Sequence, residues 1–235
     1  HRLILLGFLI GVCMKERLIN LFGESNLEKI KNAHILLVGI GGVGSFCFET
    51  LIRCGVENIT VIDFDTYEES NLNRQLYATI DTLGKKKIDT ALIRAKSINE
   101  NVNINVLDTF LDFNSDFDFS LYDYIIDACD SVPAKANLIL NAKKYNKKII
   151  VSLGIGNRVC PELVCKSTLK ENLSDPLGKK LNHYLIKKCE FFDDVNVICS
   201  KEKPIKSQPI SSYVCTTSVA GIYLSDYVIK DIING

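Results

Sequence analysis

The sequence predicts an α/β fold in which a Rossmann-like, doubly wound and mostly parallel sheet is followed by a C-terminal extension of strands and helices. Apolar strand patterns alternate with helical patterns as far as residue 154. A glycine-rich turn, Gly39–Gly44, follows the first strand directly, and an acidic residue, Asp63, follows the second. This order is typical of a nucleotide-binding unit whose ligand lies at the carboxyl ends of the strands.

The elements are predicted from local patterns. Short apolar runs indicate strands, and apolar residues every three or four positions indicate helices. The first part is predicted to contain strands at 34–38, 58–62, 102–107, 124–127 and 148–153, with helices at 25–32, 84–98 and 132–145 and another that ends near Gly55. The extension is predicted to contain strands at 162–167 and 195–199, a basic helix from Asp175 to Lys188, and a mostly apolar helix at 218–233.

The chain has 235 residues, of which 47% are hydrophobic, and this is ample for one large core. We predict a single domain over 14–235, with a nucleotide half at about 14–154 and a substrate or dimer half at about 155–235. Residues 1–13 are predicted to be an extension outside it. They are apolar but shorter than the roughly 20 residues of a stable membrane span, and Met14 is the only methionine. A peripheral membrane or partner anchor is the alternative.

The cysteines favour a reducing compartment. There are nine of them, an odd number, and no two have the Cys-x-x-Cys spacing. We therefore expect reduced thiols, a cytoplasmic location and no zinc site.

The glycine turn predicts a phosphate site. Glycines permit close approach of the backbone, and the following helix offers free N–H groups and a partial positive charge to an anion. Asp63, at the end of the next strand, can accept hydrogen bonds from ribose hydroxyls. A tight turn without a ligand is the structural alternative.

Further polar residues favour a triphosphate over a dinucleotide. Arg74 and Lys87 offer positive charge, Asn71 is a neutral donor, and the Asp130 carboxylate suits a magnesium ion between phosphates. Each has a plainer interpretation. Arg74 suits a surface salt bridge, Lys87 a solvated lysine run, and Asp130 a helix N-cap.

Charge is unevenly distributed, although the net charge is zero. Lys135–Lys206 holds 15 Lys and Arg against 7 Asp and Glu, a balance of +8, which leaves −8 elsewhere. This asymmetry indicates either an anionic macromolecule docking on the region or a solvated lysine-rich surface.

Five ordered motifs carry a family resemblance. They are GIGGVG, DFD, SNLNRQ, GKKK and DACDS. Over about residues 17–235 the chain resembles the ThiF/MoeB superfamily, relatives of the ubiquitin-activating enzymes, which adenylate a carboxylate with Mg-ATP. The segments VSLGIGNRVCPELV, DPLGKKL and VICSKEKP resemble most the tRNA threonylcarbamoyladenosine dehydratase branch. That branch implies ATP-driven cyclisation of the threonyl group of a modified adenosine beside the anticodon, with release of AMP and pyrophosphate.

The resemblance also implies roles for particular residues. ATP would be bound by Gly39, Gly41, Gly42, Gly44, Asp63, Asn71, Arg74 and Lys87, with Asp130 holding Mg²⁺. Arg17 matches the second arginine of an Arg-x-x-Arg finger that reaches the partner subunit's ATP, whereas Met14 stands in place of the first. A homodimer is implied, the Lys135–Lys206 region would face tRNA, and a sulfur-transfer protein is an open candidate partner.

Three other functions stay open from the sequence. An adenylating activator of a ubiquitin-like sulfur carrier would use a thioester cysteine, for which Cys189, Cys199 and Cys215 are the candidates. A nicotinamide-dependent oxidoreductase would need little beyond the glycines and Asp63. A binding module that keeps the fold but has lost turnover is the third, and Met14 is its best support.

Overall fold

A computed structural model describes residues 16–188 and 194–235. The predicted extension at 1–13, Met14 and Cys189 lie outside these residues. The strands are β1 (His34–Val38), β2 (Asn58–Ile62), β3 (Asn103–Leu107), β4 (Tyr124–Asp127), β5 (Lys148–Ser152), β6 (Val164–Thr168) and β7 (Asn196–Ser200). The helices are α1 (16–22), α2 (Glu24–Asn32), α3 (Gly44–Arg53), α4 (Lys87–Ile98), α5 (Val132–Lys144), α6 (Pro176–Lys188) and α7 (Val214–Asn234).

The seven strands form one sheet in the order β3-β2-β1-β4-β5-β7-β6. All neighbouring pairs are parallel except β6 and β7, which are antiparallel. The chain moves outward from β1 to β3 and then returns to place β4 on the other side of β1. Ligands of such sheets bind at this switch point, outside the carboxyl ends of the strands. The predicted fold class is confirmed.

The sheet is covered on both faces. Alternate residues of β1 point to opposite sides, so Ile35 and Leu37 join one buried cluster while Leu36 and Val38 join another. Helices α3 and α7 cover the first side, and α5 covers the second. Near-continuous apolar runs in the central strands follow from this double burial.

The last helix begins earlier than its predicted start at residue 218. It includes Val214–Thr217, a segment of small and polar residues that resembles a loop in sequence. Its first turn is stabilised by side chains: the Thr216 hydroxyl lies 2.8 Å from the carbonyl oxygen of Tyr213 and 3.3 Å from that of Arg158. Within the described ranges, no helix has the length and hydropathy that a membrane span requires.

Candidate active site

The turn between β1 and α3 can be built only with glycine at two positions. Gly39 has a φ of +91°, and a Cβ there would lie 2.9 Å from the backbone of Ala128. A Cβ on Gly44 would lie 1.8 Å from the carbonyl oxygen of Gly39. By contrast, a Cβ on Gly41 would meet no atom within 4 Å, because this residue faces open space. The turn therefore presents bare backbone at Gly41 to the cavity beside it.

Asp63 holds this turn in place. One carboxylate oxygen accepts a 2.7 Å hydrogen bond from the backbone N–H of Ile40, and the other accepts a 2.9 Å bond from the N–H of Asp65. Asp63 is buried apart from an edge that lines the cavity. Each carboxylate oxygen has a second lone pair, so Asp63 can also accept a hydroxyl. The sequence indicated a possible ribose contact but not the structural bond to the turn.

Arg74 lies against the glycine turn. Its Cγ would be 3.3 Å from a Cβ on Gly42, and its guanidinium donates to the carbonyl oxygen of Ser70 at 2.6 Å and to Asn73 Oδ1 at 3.0 Å. Among the described residues Arg74 forms no ion pair, so the surface salt-bridge interpretation is wrong. The neighbouring Asn71 is buried and shapes the same loop.

Lys87 is buried at the first residue of α4. Its ammonium nitrogen lies 2.7 Å from Asp65 Oδ2, and only 6% of its side chain is exposed. It is therefore not a solvated member of the lysine run. Asp65 fixes the ammonium while leaving other N–H donors for a ligand in the cavity.

Asp130 stands three residues beyond the end of β4 and is exposed. The N-cap of α5 is Ser131, whose hydroxyl accepts the N–H of Ala134, so the N-cap interpretation of Asp130 is wrong. Within the described chain Asp130 makes no hydrogen bond or ion pair, and the residue is part of the cavity lining.

One open cavity of about 1320 Å³ brings most of the predicted site residues together. Its lining includes Gly39, Gly41, Gly42, Asp63, Asn71, Arg74, Lys87 and Asp130. Gly44 lies directly behind the turn as the first residue of α3. Arg17 is not among the lining residues; it is exposed on α1.

A buried ion pair lies beside this cavity, and the sequence did not predict it. Asp127 and Lys135 are both fully buried, and the ammonium lies 3.1 Å from each carboxylate oxygen. The same ammonium donates to the carbonyl oxygen of Ser152 at 2.8 Å. It thereby joins the carboxyl ends of β4 and β5. The predicted tRNA-facing surface begins at Lys135, and the burial of this residue corrects that boundary.

A second ion pair was also missed. Arg158 is 3% exposed; it pairs with Asp175 and donates to the carbonyl oxygens of Gly154, Ser200 and Glu202. Asp175 in turn caps α6 by accepting the N–H groups of residues 177 and 178. From the sequence, only the start of this helix at Asp175 was predicted. Arg158 lies within the basic region but adds no surface charge.

A family model described as the ThiF family matches residues 15–203. The chain belongs to the ThiF family. It is 35% identical over 192 residues to the tRNA threonylcarbamoyladenosine dehydratase of Haemophilus influenzae, covering 81% of this chain and 74% of the relative. It is 32% identical over 237 residues to the Bacillus subtilis protein of the same name, covering 90% and 91%. The crystal structure of E. coli tRNA N6-threonylcarbamoyladenosine dehydratase in complex with ATP superimposes with a TM-score of 0.89, at 28% identity and 95% coverage of both chains.

Among the residues that the structure describes, no cysteine of this ThiF-family chain is an activated nucleophile in the cavity. Burial, with Cys165 alongside, raises the pKa of Cys199 to about 12, so it is a neutral thiol at physiological pH. Burial and the nearby Asp127 carboxylate also raise the pKa of Cys129, which does line the cavity. Cys215 is half-buried and outside the lining. Of the candidate thioester residues, Cys199 is therefore poorly suited to that role.

Proposed function

We propose that this protein is an ATP-dependent tRNA threonylcarbamoyladenosine dehydratase. The observation that carries the proposal is the shared cavity, in which a bare-backbone glycine turn, two cations and an unpaired carboxylate converge at the switch point of the sheet. The Bacillus subtilis relative with that name matches over 91% of its length, and the E. coli enzyme was solved with ATP.

The nucleotide would lie along the carboxyl end of β1. Backbone N–H groups of the turn and the start of α3 would bind its phosphates, and Asp63 its ribose. Arg74 has no carboxylate to neutralise it among the described residues, and Lys87 is held by Asp65 with N–H donors to spare. These two cations, with Asn71, are suited to the charge that develops on departing pyrophosphate.

Asp130 fits a magnesium ion. Mg²⁺ in nucleotide sites is commonly held by one or two carboxylates together with substrate phosphates. The described residues contain no cluster of three or more His, Cys, Asp or Glu side chains that could bind a metal alone, and Asp130 is exposed to the cavity. When bound there, the ion would neutralise phosphate charge.

The cavity has room for a second reactant. Its volume of about 1320 Å³ exceeds the roughly 300–1,000 Å³ of ordinary small-molecule pockets. In the proposed reaction a threonyl carboxylate oxygen attacks the α-phosphorus, and pyrophosphate leaves. A nitrogen of the same threonylcarbamoyl group then attacks the acyl carbon, AMP leaves and a proton is lost. The ring closes with net removal of water, and no protein nucleophile is required.

The tRNA would approach over the exposed cations of the basic region, to which Lys135 and Arg158 add no surface charge because they are buried. We further propose that the chain acts as a cytoplasmic homodimer of single-domain subunits, in which Arg17 reaches the partner subunit's nucleotide. Support for this role comes from the position of Arg17, which is exposed and away from its own cavity. A sulfur-transfer protein would be a further partner.

The proposal is tested by incubating the full chain with ATP, Mg²⁺ and tRNA that carries threonylcarbamoyladenosine. Nucleosides from digested tRNA are then analysed by mass spectrometry, and AMP and pyrophosphate are measured. We expect a nucleoside lighter by one water, with one AMP per ring formed, and neither change with unmodified tRNA.

Two variants make this test specific. Arg74→Ala should lose turnover, whereas Arg53→Ala, which changes an exposed arginine on α3, should retain it. Turnover on the C-terminus of a ubiquitin-like carrier and none on modified tRNA would show instead that the chain is a carrier activator. NAD binding with an Arg74→Ala variant of full activity would indicate an oxidoreductase.

A further inference from the structure

The cavity has a second part opposite the glycine turn, which we name the acceptor lobe. It is lined by residues 152–158 at and beyond the end of β5, by residues 175–177 and Lys180 at the start of α6, and by parts of the loop 204–212 that leads to α7. The nucleotide residues proposed above all lie on the other side, around β1, β2 and the end of β4. The acceptor lobe therefore has no assigned ligand residues.

Charge in the acceptor lobe is unbalanced. Arg158 and Asp175 neutralise each other, and Asp175 is the only acidic residue of the lobe's lining. Two further lining cations, Lys180 and Lys206, are exposed and form no ion pair or hydrogen bond with the part of the chain that the structure describes. The lobe consequently presents two unneutralised positive charges, supplied by two different elements.

Lys206 lies on a loop that is held firmly in place. Asn157, in a left-handed conformation with a φ of +57°, binds this loop on both sides of Lys206. Its carbonyl oxygen accepts the N–H of Ile205 at 2.7 Å, and its side-chain nitrogen donates to the carbonyl oxygen of Ser207 at 3.2 Å. The backbone of Lys206 is thus fixed by its two neighbours.

The same loop is tied to both halves of the site. Ser211 exchanges 2.7 Å hydrogen bonds with Asn157 through its backbone N–H and carbonyl. The Ser212 carbonyl accepts a 3.1 Å bond from Asn73, the residue before Arg74. These restraints hold the backbone of the loop beside the cavity, which the exposed Lys206 lines.

We infer that Lys180 and Lys206 bind backbone phosphates of the tRNA next to the modified nucleotide. This inference rests on the proposed function and assigns its acceptor lobe. Single-stranded nucleic acid is bound by grooves whose cations follow the backbone. Two cations at the mouth of the lobe bind the flanking phosphates while the threonylcarbamoyl group enters between them, and Arg158 is too deeply paired to take part.

The test compares Lys180→Ala, Lys206→Ala and the double variant with wild-type full chain. Binding of threonylcarbamoylated tRNA is measured over a range of salt concentrations, and ATP binding is measured separately by calorimetry. The logarithm of the affinity for a single strand falls linearly with the logarithm of the salt concentration, with a slope of about 0.7 per phosphate contacted. Each lysine should therefore contribute about fivefold in affinity at 0.1 M salt. The double variant should lose about 25-fold, and its slope should fall by about 1.4.

Lys230→Ala is the matched control, since Lys230 is an exposed lysine on α7 outside the cavity. It should leave tRNA affinity unchanged, and all variants should bind ATP like wild type. Unchanged tRNA affinity in the double variant would overturn the inference, and so would an equal loss of ATP affinity, because the lysines would then bind the nucleotide. Failure of the proposed function is distinct: wild-type protein would make no cyclised nucleoside.

Discussion

Replacing Lys135 by methionine should destabilise the protein severely. The variant keeps most of the apolar stem of the side chain but removes the ammonium that lies 3.1 Å from both oxygens of Asp127 and 2.8 Å from the Ser152 carbonyl. Both members of the pair are 0% exposed. The substitution therefore leaves an uncompensated carboxylate that water cannot reach.

The magnitude follows from that burial. Removing one partner of a buried pair costs about 3–5 kcal/mol, a large part of the roughly 5–15 kcal/mol by which domains are stable. For a chain of this size the melting temperature should fall by about 6–20 °C. Because Lys135 joins the ends of β4 and β5, ATP binding should also weaken.

Urea unfolding followed by circular dichroism measures the loss, and the chain lacks tryptophan, so fluorescence is less useful. The urea concentration at the midpoint of unfolding should fall, while the dependence of the unfolding free energy on urea concentration stays unchanged. Lys230→Met is the control, since its exposed pair with Asp226 is worth at most about 0.5 kcal/mol. Combining Lys135→Met with Asp127→Asn should recover part of the stability. If Lys135→Met alone lowered the free energy of unfolding by less than about 1 kcal/mol, the reasoning would be refuted.

Four further outcomes are expected. Asp130→Ala should abolish turnover of modified tRNA while thermal melting stays as in wild type; near-normal rates would exclude a metal-binding role. Gly44→Ala should lower the melting temperature and abolish ATP binding, because its Cβ would lie 1.8 Å from a backbone oxygen, whereas Gly41→Ala should fold normally and weaken only ATP binding. Burial acts to raise the pKa of Glu49, but hydrogen bonds from Arg94 and Arg53 outweigh it and hold the pKa below its usual 4.5. Ionised Glu49 therefore stabilises the fold above that pH, and this contribution is lost on acidification. Urea unfolding at pH 5 and pH 3 should show a smaller fall in the free energy of unfolding for Glu49→Gln than for wild type. Cys199→Ser should retain pyrophosphate release, and its loss would revive a thioester step.

Sequence by itself determined the order of the strands and helices and the place of the nucleotide turn. Local rules suffice there: apolar runs of four to six residues are buried on both faces of a parallel sheet, and glycine is required where the backbone turns tightly at Gly39. Asp63 and Asp130 could be selected because each follows a strand, and Lys87 because it begins a helix, at the same edge of the sheet. Arg74 lies in the loop between β2 and α4 and was selected for its charge and for the family motif.

Tertiary structure alone decided which charges are available to a ligand. Lys135 and Lys206 are both lysines of the basic region, yet the first is buried against Asp127 and the second is exposed at the cavity. Asp127 lies eight residues before Lys135, and its strand direction and depth in the sheet determine the pairing. Whether a charged side chain is neutralised depends on partners that folding brings together, and these partners cannot be identified from the amino-acid composition.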